Sequence, residues 1–198
     1  DYGYGAFAEY VTVPEKALVL KPTNLNYLEA AAVPQAAVTA LQGLEDQTQI
    51  QPGNKVLING ASGGIGTFAV QLAKSFGAEV TGVCSTENLE VVRSIGADYV
   101  IDYKREDFTK GEKCYDLILD IVANRPTSQY MRALTPQGAY VAVAFNPQTI
   151  FLGSMISKAD GKKAGSLMAK PSTSDLGEVK GWIEAGKISP VIDKVFPL

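Results

Sequence analysis

Residues 59–66, Asn-Gly-Ala-Ser-Gly-Gly-Ile-Gly, are the part of the chain whose residue types and spacing best fit a chemical task. They follow an apolar run of strand length and precede a helical segment. Ala61, Gly63 and Gly66 match the dinucleotide-binding pattern G-x-G-x-x-G, with alanine in the first place. The absent side chain at Gly63 lets a pyrophosphate approach the backbone, and the following helix offers free N–H groups to the phosphates. The turn predicts a dinucleotide site formed by Ala61, Ser62, Gly63, Gly64, Ile65 and Gly66.

The same turn also fits a glycine-rich connection between a strand and a helix that binds nothing, because a lone motif of this kind is weak evidence. Its position inside a longer alternation of strands and helices favours a dinucleotide. A Walker A loop is excluded, because no Gly-Lys-Ser or Gly-Lys-Thr follows the glycines.

Apolar runs and helical patterns alternate from residue 55 onward. Strands buried on both faces are apolar throughout, and helices between them are typical of a parallel sheet with right-handed crossovers. The sequence therefore predicts an α/β fold, a Rossmann doubly wound parallel sheet of about six strands. The predicted strands are 55–59, 79–84, 99–102, 115–120, 140–144 and 166–170. The predicted helices are 26–33, 35–44, 67–76, 87–94, 127–134 and 175–185, and two short strands, 6–13 and 18–20, precede them.

The end of the second predicted strand bears on the choice between NAD and NADP. An NAD-selective site places Asp or Glu there, about 20 residues past the glycines, to bind the ribose 2′-hydroxyl. Cys84 stands at that place, and the hydroxyls of Ser85 and Thr86 can donate to a 2′-phosphate. This favours NADP, although Glu87 follows where a cation would help, and either hydroxyl also suits a helix N-cap. Tyr103, just past the third strand, can reach the same phosphate or stack near the adenine.

Composition and charge exclude several classes of function. The 198 residues are 46% apolar and 20% charged, which is typical of globular proteins and not of disordered ones. The formal net charge is −3 with no long basic run, which argues against nucleic acid as a partner. No apolar stretch approaches the roughly 18 residues of a membrane span. The chain has no histidine, so it cannot by itself supply a Ser-His-Asp triad or a His-ligated metal, and its two cysteines fit a reducing cytoplasm.

Further motifs extend along nearly the whole chain. They are GAFAEY at 5–10, AAAVP at 30–34, VTAL at 38–41, PGNKVLI at 52–58, AVQLAK at 69–74, GADYVIDY at 96–103 and ISPVID at 188–193. With the glycine turn, they resemble the medium-chain dehydrogenase/reductase superfamily, and within it the zinc-free quinone oxidoreductases related to zeta-crystallin. The resemblance implies that residues 33–186 are the Rossmann dinucleotide-binding domain. It implies that 1–32 are the last part of a GroES-like catalytic domain and that 187–198 begin the return to that domain.

The resemblance also assigns roles to single residues. It implies that residues 62–66 hold the pyrophosphate and that Ser85, Thr86 and Tyr103 hold the adenosine 2′-phosphate of NADPH. The residues implied to lie near the nicotinamide are Thr39, Ile121, Val122, Ala144 and Phe145. The hydroxyl of Thr39 equally suits packing between helices, and the other four residues have packing at the ends of strands as their alternative role. Many members carry Lys or Arg at a position that is Glu87 or Asn88 here.

The implied activity is transfer of a hydride from NADPH to a quinone or an α,β-unsaturated carbonyl, without a metal ion. The conjugated carbonyl is itself the electron sink, so the protein has to orient it and supply a proton. No catalytic residue is assigned within this chain. The expected partner is a small-molecule quinone or enone, with no nucleic acid and no membrane. The expected location is the cytoplasm, and the resemblance implies pairing of two cofactor domains as a homodimer.

Two other functions stay open. One is a dinucleotide-binding module without catalysis, used for sensing, structure or association with RNA. The other is a zinc-dependent alcohol dehydrogenase of the same superfamily. A short-chain dehydrogenase, which has a similar glycine turn, is excluded: that family uses a Tyr-x-x-x-Lys pair, and none of the nine tyrosines has lysine four residues later.

Overall fold

A six-stranded parallel sheet forms the centre of the structure, in the strand order β3-β2-β1-β4-β5-β6. The computed structural model describes residues 8–46, 48–111, 114–143, 149 and 161–196. The strands are β1 (Lys55–Asn59), β2 (Glu79–Cys84), β3 (Tyr99–Asp102), β4 (Tyr115–Asp120), β5 (Leu134–Ala142) and β6 (Lys163–Ser166). The α/β class and the six-stranded parallel sheet predicted from the sequence are confirmed.

Helices cover both faces of the sheet. They are α1 (Tyr27–Ala31), α2 (Pro34–Glu45), α3 (Gly64–Ser75), α4 (Leu89–Ser94), α5 (Thr127–Arg132) and α6 (Thr173–Glu184), with short 3-10 helices at Glu15–Ala17, Thr86–Asn88 and Phe108–Lys110. Alternate residues of a strand point to opposite faces. Val56 and Ile58 of β1 therefore enter the core that α2, α3 and α4 cover, whereas Leu57 enters the core that α5 covers. The sheet is doubly wound, as predicted.

The first four strands have the predicted bounds, but the last two strands differ. β5 begins at Leu134 rather than at residue 140, because its first residues already pair with the start of β4, across a shift in register. β6 ends at Ser166, where the predicted strand begins, because its partner β5 ends at Ala142. The N–H of Leu167 still donates to the carbonyl oxygen of Ala142 (2.8 Å), and the chain then leaves the sheet.

Residues 8–20 do not form the short strands that the sequence predicts. This segment contains the 3-10 helix Glu15–Ala17 and otherwise irregular backbone. A strand needs a neighbour that accepts and donates backbone hydrogen bonds, and the sheet as described ends at β3 on one side and at β6 on the other. The prediction of strands is therefore wrong for residues 8–20, while residues 6 and 7 lie outside the described part of the chain.

β1 and β4 lie side by side at the point where the order of the strands reverses. β2 and β3 continue from β1 to one side, and β5 and β6 continue from β4 to the other. The last residues of the two central strands, Asn59 and Asp120, are register partners. In open α/β sheets, ligands bind in the crevice beyond the carboxyl ends of the strands at such a switch point. The fold therefore brings the glycine turn, which follows β1, to that crevice.

Two glycines let helices approach the sheet closely. A Cβ built on Gly66, in the first turn of α3, would overlap the carbonyl oxygen of Gly60. A Cβ built on Gly82 of β2 would lie 2.5 Å from Cγ1 of Val92 in α4 and 3.0 Å from Cβ of Ala61. The backbones can come this close only because these side chains are absent.

Gly66→Ala should lower the free energy of unfolding by about 2 kcal/mol or more, because the new Cβ forces α3 away from the end of β1. Gly177→Ala is the matched control, since a Cβ there, on the exposed side of α6, meets nothing within 4 Å. Alanine at that position should raise the free energy of unfolding by about 0.5–1 kcal/mol. Urea unfolding followed by circular dichroism measures both values, and equal stabilities of the two variants would contradict the close contact at Gly66.

Candidate functional site

The glycine turn leaves β1 through a tight bend. Gly60 has a φ of +92°, a left-handed conformation that glycine adopts without strain. The N–H groups of Gly60 and Ala61 donate to the carbonyl oxygen of Val83 in β2 (3.1 and 3.0 Å). The N–H of Gly63 donates back to the carbonyl oxygen of Gly60 (3.1 Å). Backbone hydrogen bonds therefore hold the bend in place against the neighbouring strand.

The N-terminus of α3 follows this bend and presents open backbone. Its first helical hydrogen bond runs from the N–H of Thr67 to the carbonyl oxygen of Gly63 (2.9 Å), so the N–H groups of residues 64–66 precede the helical ladder. The first turn of α3 contains no acidic residue. A Cβ built on Gly63 would meet only the carbonyl oxygen of Gly60, at 3.5 Å, and one built on Gly64 would meet nothing within 4 Å. This cradle of N–H groups fits a pyrophosphate.

Asn88 connects the glycine turn to the end of β2. Its Nδ2 donates to Oγ of Ser62 (3.2 Å) and to Oγ of Ser85 (3.2 Å). The sequence analysis assigned both serines to the cofactor site, and the structure brings them together through this amide. Asn88 itself was missed. The available signal was its spacing, because three residues form one turn of the 3-10 helix Thr86–Asn88 and return Asn88 to the side of Ser85.

Cys84, the last residue of β2, is buried with only 2% of its surface exposed. It pairs in register with Asp102, the last residue of β3. Burial, together with the nearby Asp102 carboxylate, raises the pKa of the Cys84 thiol. A carboxylate at position 84 would therefore lie next to a second carboxylate. The first residue past β2 that is partly open to solvent is Ser85.

The hydroxyl of Thr86 is bound to the end of β3. Its Oγ1 donates to Oδ2 of Asp102 (2.6 Å), and this hydrogen bond lowers the pKa of the Asp102 carboxyl. Because the hydroxyl of Thr86 donates its proton in this hydrogen bond to Asp102, it cannot donate to a phosphate while that bond lasts. The assignment of Thr86 to a 2′-phosphate stays a prediction that has to compete with this bond.

A cation stands at the same edge of the sheet, and the sequence analysis missed it. Nζ of Lys104 lies 2.8 Å from Oε1 of Glu87, and this hydrogen bond lowers the pKa of the Glu87 carboxyl to about 2. The neighbouring residue, Tyr103, is 52% exposed. Because β2 and β3 are parallel neighbours, the residues that follow both strands share one edge. The signal in the sequence was the basic pair Lys104 and Arg105 directly after the third strand.

The turn after β4 brings Ile121 and Val122 next to the glycine turn. The N–H of Ile121 donates to the carbonyl oxygen of Asn59 (3.1 Å). A Cβ built on Gly60 would lie 2.8 Å from Cγ2 of Val122, so this glycine also makes room for the second turn. Val122 is 49% exposed. The structure thus joins two segments that lie 62 residues apart in the sequence.

Thr39 borders a cavity of about 680 Å³ between α2 and the segment that follows β6. Pro34 and Val38 of the same helix line one wall with it, and residues 169–174 and Leu176 line the other. Thr39 is only 4% exposed, so its side chain both packs within the buried side of α2 and borders the cavity. The two interpretations of this hydroxyl, packing and binding, are compatible in this position.

Ala144 and Phe145, which the sequence analysis assigned to the nicotinamide, lie outside the described residues. Among the residues that are described, no group of three or more His, Cys, Asp or Glu side chains is arranged to hold a metal ion. In the same part of the chain, no helix is both long enough and apolar enough to cross a membrane.

Comparison with known proteins gives consistent matches. A family profile described as zinc-binding dehydrogenase matches residues 95–198. A trans-enoyl reductase from Aspergillus terreus is 35% identical over 98% of this chain and 58% of its own length. A chloroplastic NADPH-dependent alkenal/one oxidoreductase from Arabidopsis thaliana is 34% identical over 98% of this chain and 47% of its own length. The chain thus spans about half the length of these curated relatives.

Two solved structures extend the comparison. The quinone oxidoreductase from Coxiella burnetii superimposes with a TM-score of 0.75 and 28% identity, covering 85% of this chain and 53% of that one. An NAD-dependent alcohol dehydrogenase superimposes with a TM-score of 0.80 and 29% identity, covering 95% of this chain and 57% of that one. With its glycine turn at the switch point of a six-stranded parallel sheet, the chain belongs to the zinc-binding dehydrogenase family of the medium-chain dehydrogenase/reductase superfamily.

Proposed function

We propose that this chain is the NADPH-binding part of an oxidoreductase that transfers a hydride to a quinone or an α,β-unsaturated carbonyl. The observation that carries the proposal is the glycine turn, whose backbone lies open in front of the N-terminus of α3 at the switch point of the sheet. The relatives named as trans-enoyl and alkenal/one reductases and the structural neighbour named as a quinone oxidoreductase support this substrate class.

The pyrophosphate is proposed to lie on the backbone of residues 62–66. The N–H groups of residues 64–66 precede the helical ladder of α3 and can donate to its oxygens. The 3.5 Å gap between a Cβ built on Gly63 and the carbonyl oxygen of Gly60 means that nothing in the protein itself requires glycine at position 63. A pyrophosphate that touches the backbone at position 63 would require glycine there, because any side chain would occupy its space.

The adenosine 2′-phosphate is proposed to lie at the joint edge of β2 and β3. Ser85 and Tyr103 offer hydroxyl groups there, and Lys104 offers a positive charge. Glu87 holds that charge in an ion pair, so a phosphate has to share Lys104 with a carboxylate. We therefore propose that NADPH binds better than NADH by a modest margin. The relatives named above include one described as NADPH-dependent and a structural neighbour described as NAD-dependent. The choice between NADPH and NADH therefore has to follow from the residues at this edge.

The nicotinamide is proposed to lie beyond the ends of β1 and β4, near Ile121 and Val122, with Thr39, Ala144 and Phe145 completing its surroundings. NADPH supplies the hydride. The conjugated carbonyl of a quinone or enone is itself an electron sink, so we propose that the reaction needs no zinc and that the protein orients the acceptor and guides a proton to it.

The remaining expectations stay proposals. We propose that residues 33–186 form the dinucleotide-binding domain, and that 1–32 and 187–198 belong to a GroES-like catalytic domain. Large apolar side chains at both ends support this division, since Leu20 is 86% and Phe196 is 77% exposed. A cytoplasmic location and a homodimer are likewise predictions from the sequence.

Gly63→Val should abolish binding of both NADPH and NADH while leaving the fold intact, because the added carbons occupy the space of the pyrophosphate. Isothermal titration calorimetry measures binding, and circular dichroism checks the fold. From the sequence alone, Gly66→Val would be expected to block binding in the same way. It cannot test binding by itself, because its side chain would overlap the carbonyl oxygen of Gly60 and disturb the structure. Unchanged affinity of Gly63→Val for either nucleotide would contradict the assignment of this turn.

Lys104→Met should weaken NADPH binding by about tenfold and leave NADH binding unchanged, because only NADPH carries a 2′-phosphate. Glu87→Gln should strengthen NADPH binding, because it releases Lys104 from its ion pair. Both effects should shrink as salt is raised. The matched control is Lys180→Met, on α6, which removes a lysine that pairs with Glu184 instead. Dissociation constants at two ionic strengths test this, and an equal loss for both nucleotides would overturn the location of the phosphate.

The whole protein that contains this chain should oxidise NADPH when a quinone or an enone is added, and excess EDTA should not change the rate. The decrease in NADPH absorbance at 340 nm follows the reaction. Binding of NADPH without turnover of either substrate class would instead indicate a binding module, and loss of turnover in EDTA would indicate a zinc-dependent enzyme.

A further inference from the structure

The carboxylate of Asp120 is completely buried at the end of β4 and accepts hydrogen bonds from uncharged donors. Its Oδ1 accepts from the N–H of Val122 (3.2 Å), the N–H of Ala123 (2.9 Å) and Nδ2 of Asn59 (2.8 Å). Its Oδ2 accepts from the hydroxyl of Tyr140 (2.9 Å). A buried carboxylate is retained in a fold only when donors satisfy it. Here two of those donors are the backbone of the turn that follows β4.

The two oxygens of this carboxylate have different partners. Oδ2 is tied to the core, where the ring of Tyr140 stacks on that of Tyr130 with 4.7 Å between the centroids, and both rings are fully buried. Oδ1 is tied to the turn and to Asn59, the last residue of β1. The side chain of Asp120 therefore anchors the turn of residues 121–123 to a rigid part of the protein.

The turn itself needs such an anchor. Ala123 has a φ of +53°, in the left-handed region that residues with a Cβ seldom adopt. A carboxylate that accepts from backbone N–H groups two and three residues later stabilises a conformation of this kind. The anchor is fully buried, but Val122, two residues later, is 49% exposed. Within these two residues the chain therefore passes from the buried core to the surface.

The position of Val122 bears on the cofactor crevice. Its Cγ2 occupies the space next to Gly60, 2.8 Å from where a Cβ of that residue would lie. The N–H of Ile121 is bonded to the carbonyl oxygen of Asn59 (3.1 Å), directly before the glycine turn. A change in the turn would therefore move the side chains that border the crevice beyond β1 and β4.

We propose that Asp120 is a positioning residue, which fixes the turn of residues 121–123 so that Ile121 and Val122 form the surface on which the nicotinamide half of the cofactor rests. The inference rests on the proposed function, namely that this crevice binds NADPH. Asp120 acts through the turn and does not touch the cofactor. Its effect is therefore confined to the nicotinamide half and spares the adenosine half, which lies at the edge of β2 and β3.

The test compares two ligands, NADPH and adenosine 2′,5′-bisphosphate, which lacks the nicotinamide half. Ala123→Val should weaken NADPH binding by about tenfold or more, because a β-branched residue resists a positive φ. It should leave the affinity for adenosine 2′,5′-bisphosphate unchanged. The conservative variant Ala123→Gly, which accepts that φ without strain, should keep the NADPH affinity within about threefold. Asp120→Ala should reproduce the pattern of Ala123→Val.

Two further measurements separate positioning from a general loss of structure. Tyr140→Phe removes the bond to Oδ2 but keeps both bonds to the turn, so it should lower stability without changing the affinity for NADPH. Amide hydrogen exchange of the free chain should show loss of protection at Val122 and Ala123 in Ala123→Val and in Asp120→Ala, with β4 still protected. If Asp120→Ala does not fold, the comparison of Ala123→Val with Ala123→Gly tests the proposal.

An equal loss of affinity for both ligands in Ala123→Val, or no loss for either, would overturn the role of Asp120. Loss of NADPH binding in Ala123→Val with the two amides still protected would also overturn it, because the valine would then act by direct contact. Failure of the unmodified chain to bind NADPH or adenosine 2′,5′-bisphosphate is a separate result that overturns the proposed function itself.

Discussion

The close approach of α3 to the end of β1 is the constraint on which the rest of the site depends. Gly66 has no side chain, so the first turn of the helix can lie against the carbonyl oxygen of Gly60. This contact sets the helix N-terminus directly beyond the strand, where unbonded N–H groups and the positive end of the helix dipole coincide. Any larger residue at position 66 would separate the two elements and remove the cradle, whatever the other residues of the turn were.

Two aspartates end parallel strands of the sheet in the same way. Asp102 ends β3, and its Oδ1 accepts from the N–H of Lys104, two residues later (2.9 Å). Asp120 ends β4, and its Oδ1 accepts from the N–H of Val122, also two residues later (3.2 Å). Each carboxylate bends the chain sharply at the end of a parallel strand, as aspartates often do in turns. The residue whose N–H each carboxylate accepts is a cation after β3, Lys104, and an apolar residue after β4, Val122.

Charge at the joint edge of β2 and β3, where the adenosine is proposed to lie, is balanced within the protein. Lys104 is paired with Glu87, and Thr86 is bonded to Asp102, so neither group stands ready for a phosphate without giving up a partner. We proposed that the preference for NADPH is modest because of this competition, since the cost of separating existing pairs reduces the gain from the 2′-phosphate. Ser85, which Asn88 holds next to Ser62, also has a charged partner, because its hydroxyl donates to the Glu87 carboxylate and helps to lower the pKa of that group.

The sequence alone determined β1 to β4 and the glycine turn, because buried parallel strands are continuous apolar runs and because the turn is a local pattern. It did not determine β6, whose end is set by the end of its partner β5, nor the absence of strands in residues 8–20, which have no neighbour in the described sheet. The roles of Asn88, Lys104 and Asp120 also came only from the tertiary structure. Their contacts depend on which strand ends lie side by side, because Asn88 bonds Ser62, 26 positions away, Lys104 bonds Glu87, 17 positions away, and Asp120 bonds Asn59, 61 positions away. Hydrogen bonds over such separations leave no periodic pattern in the sequence.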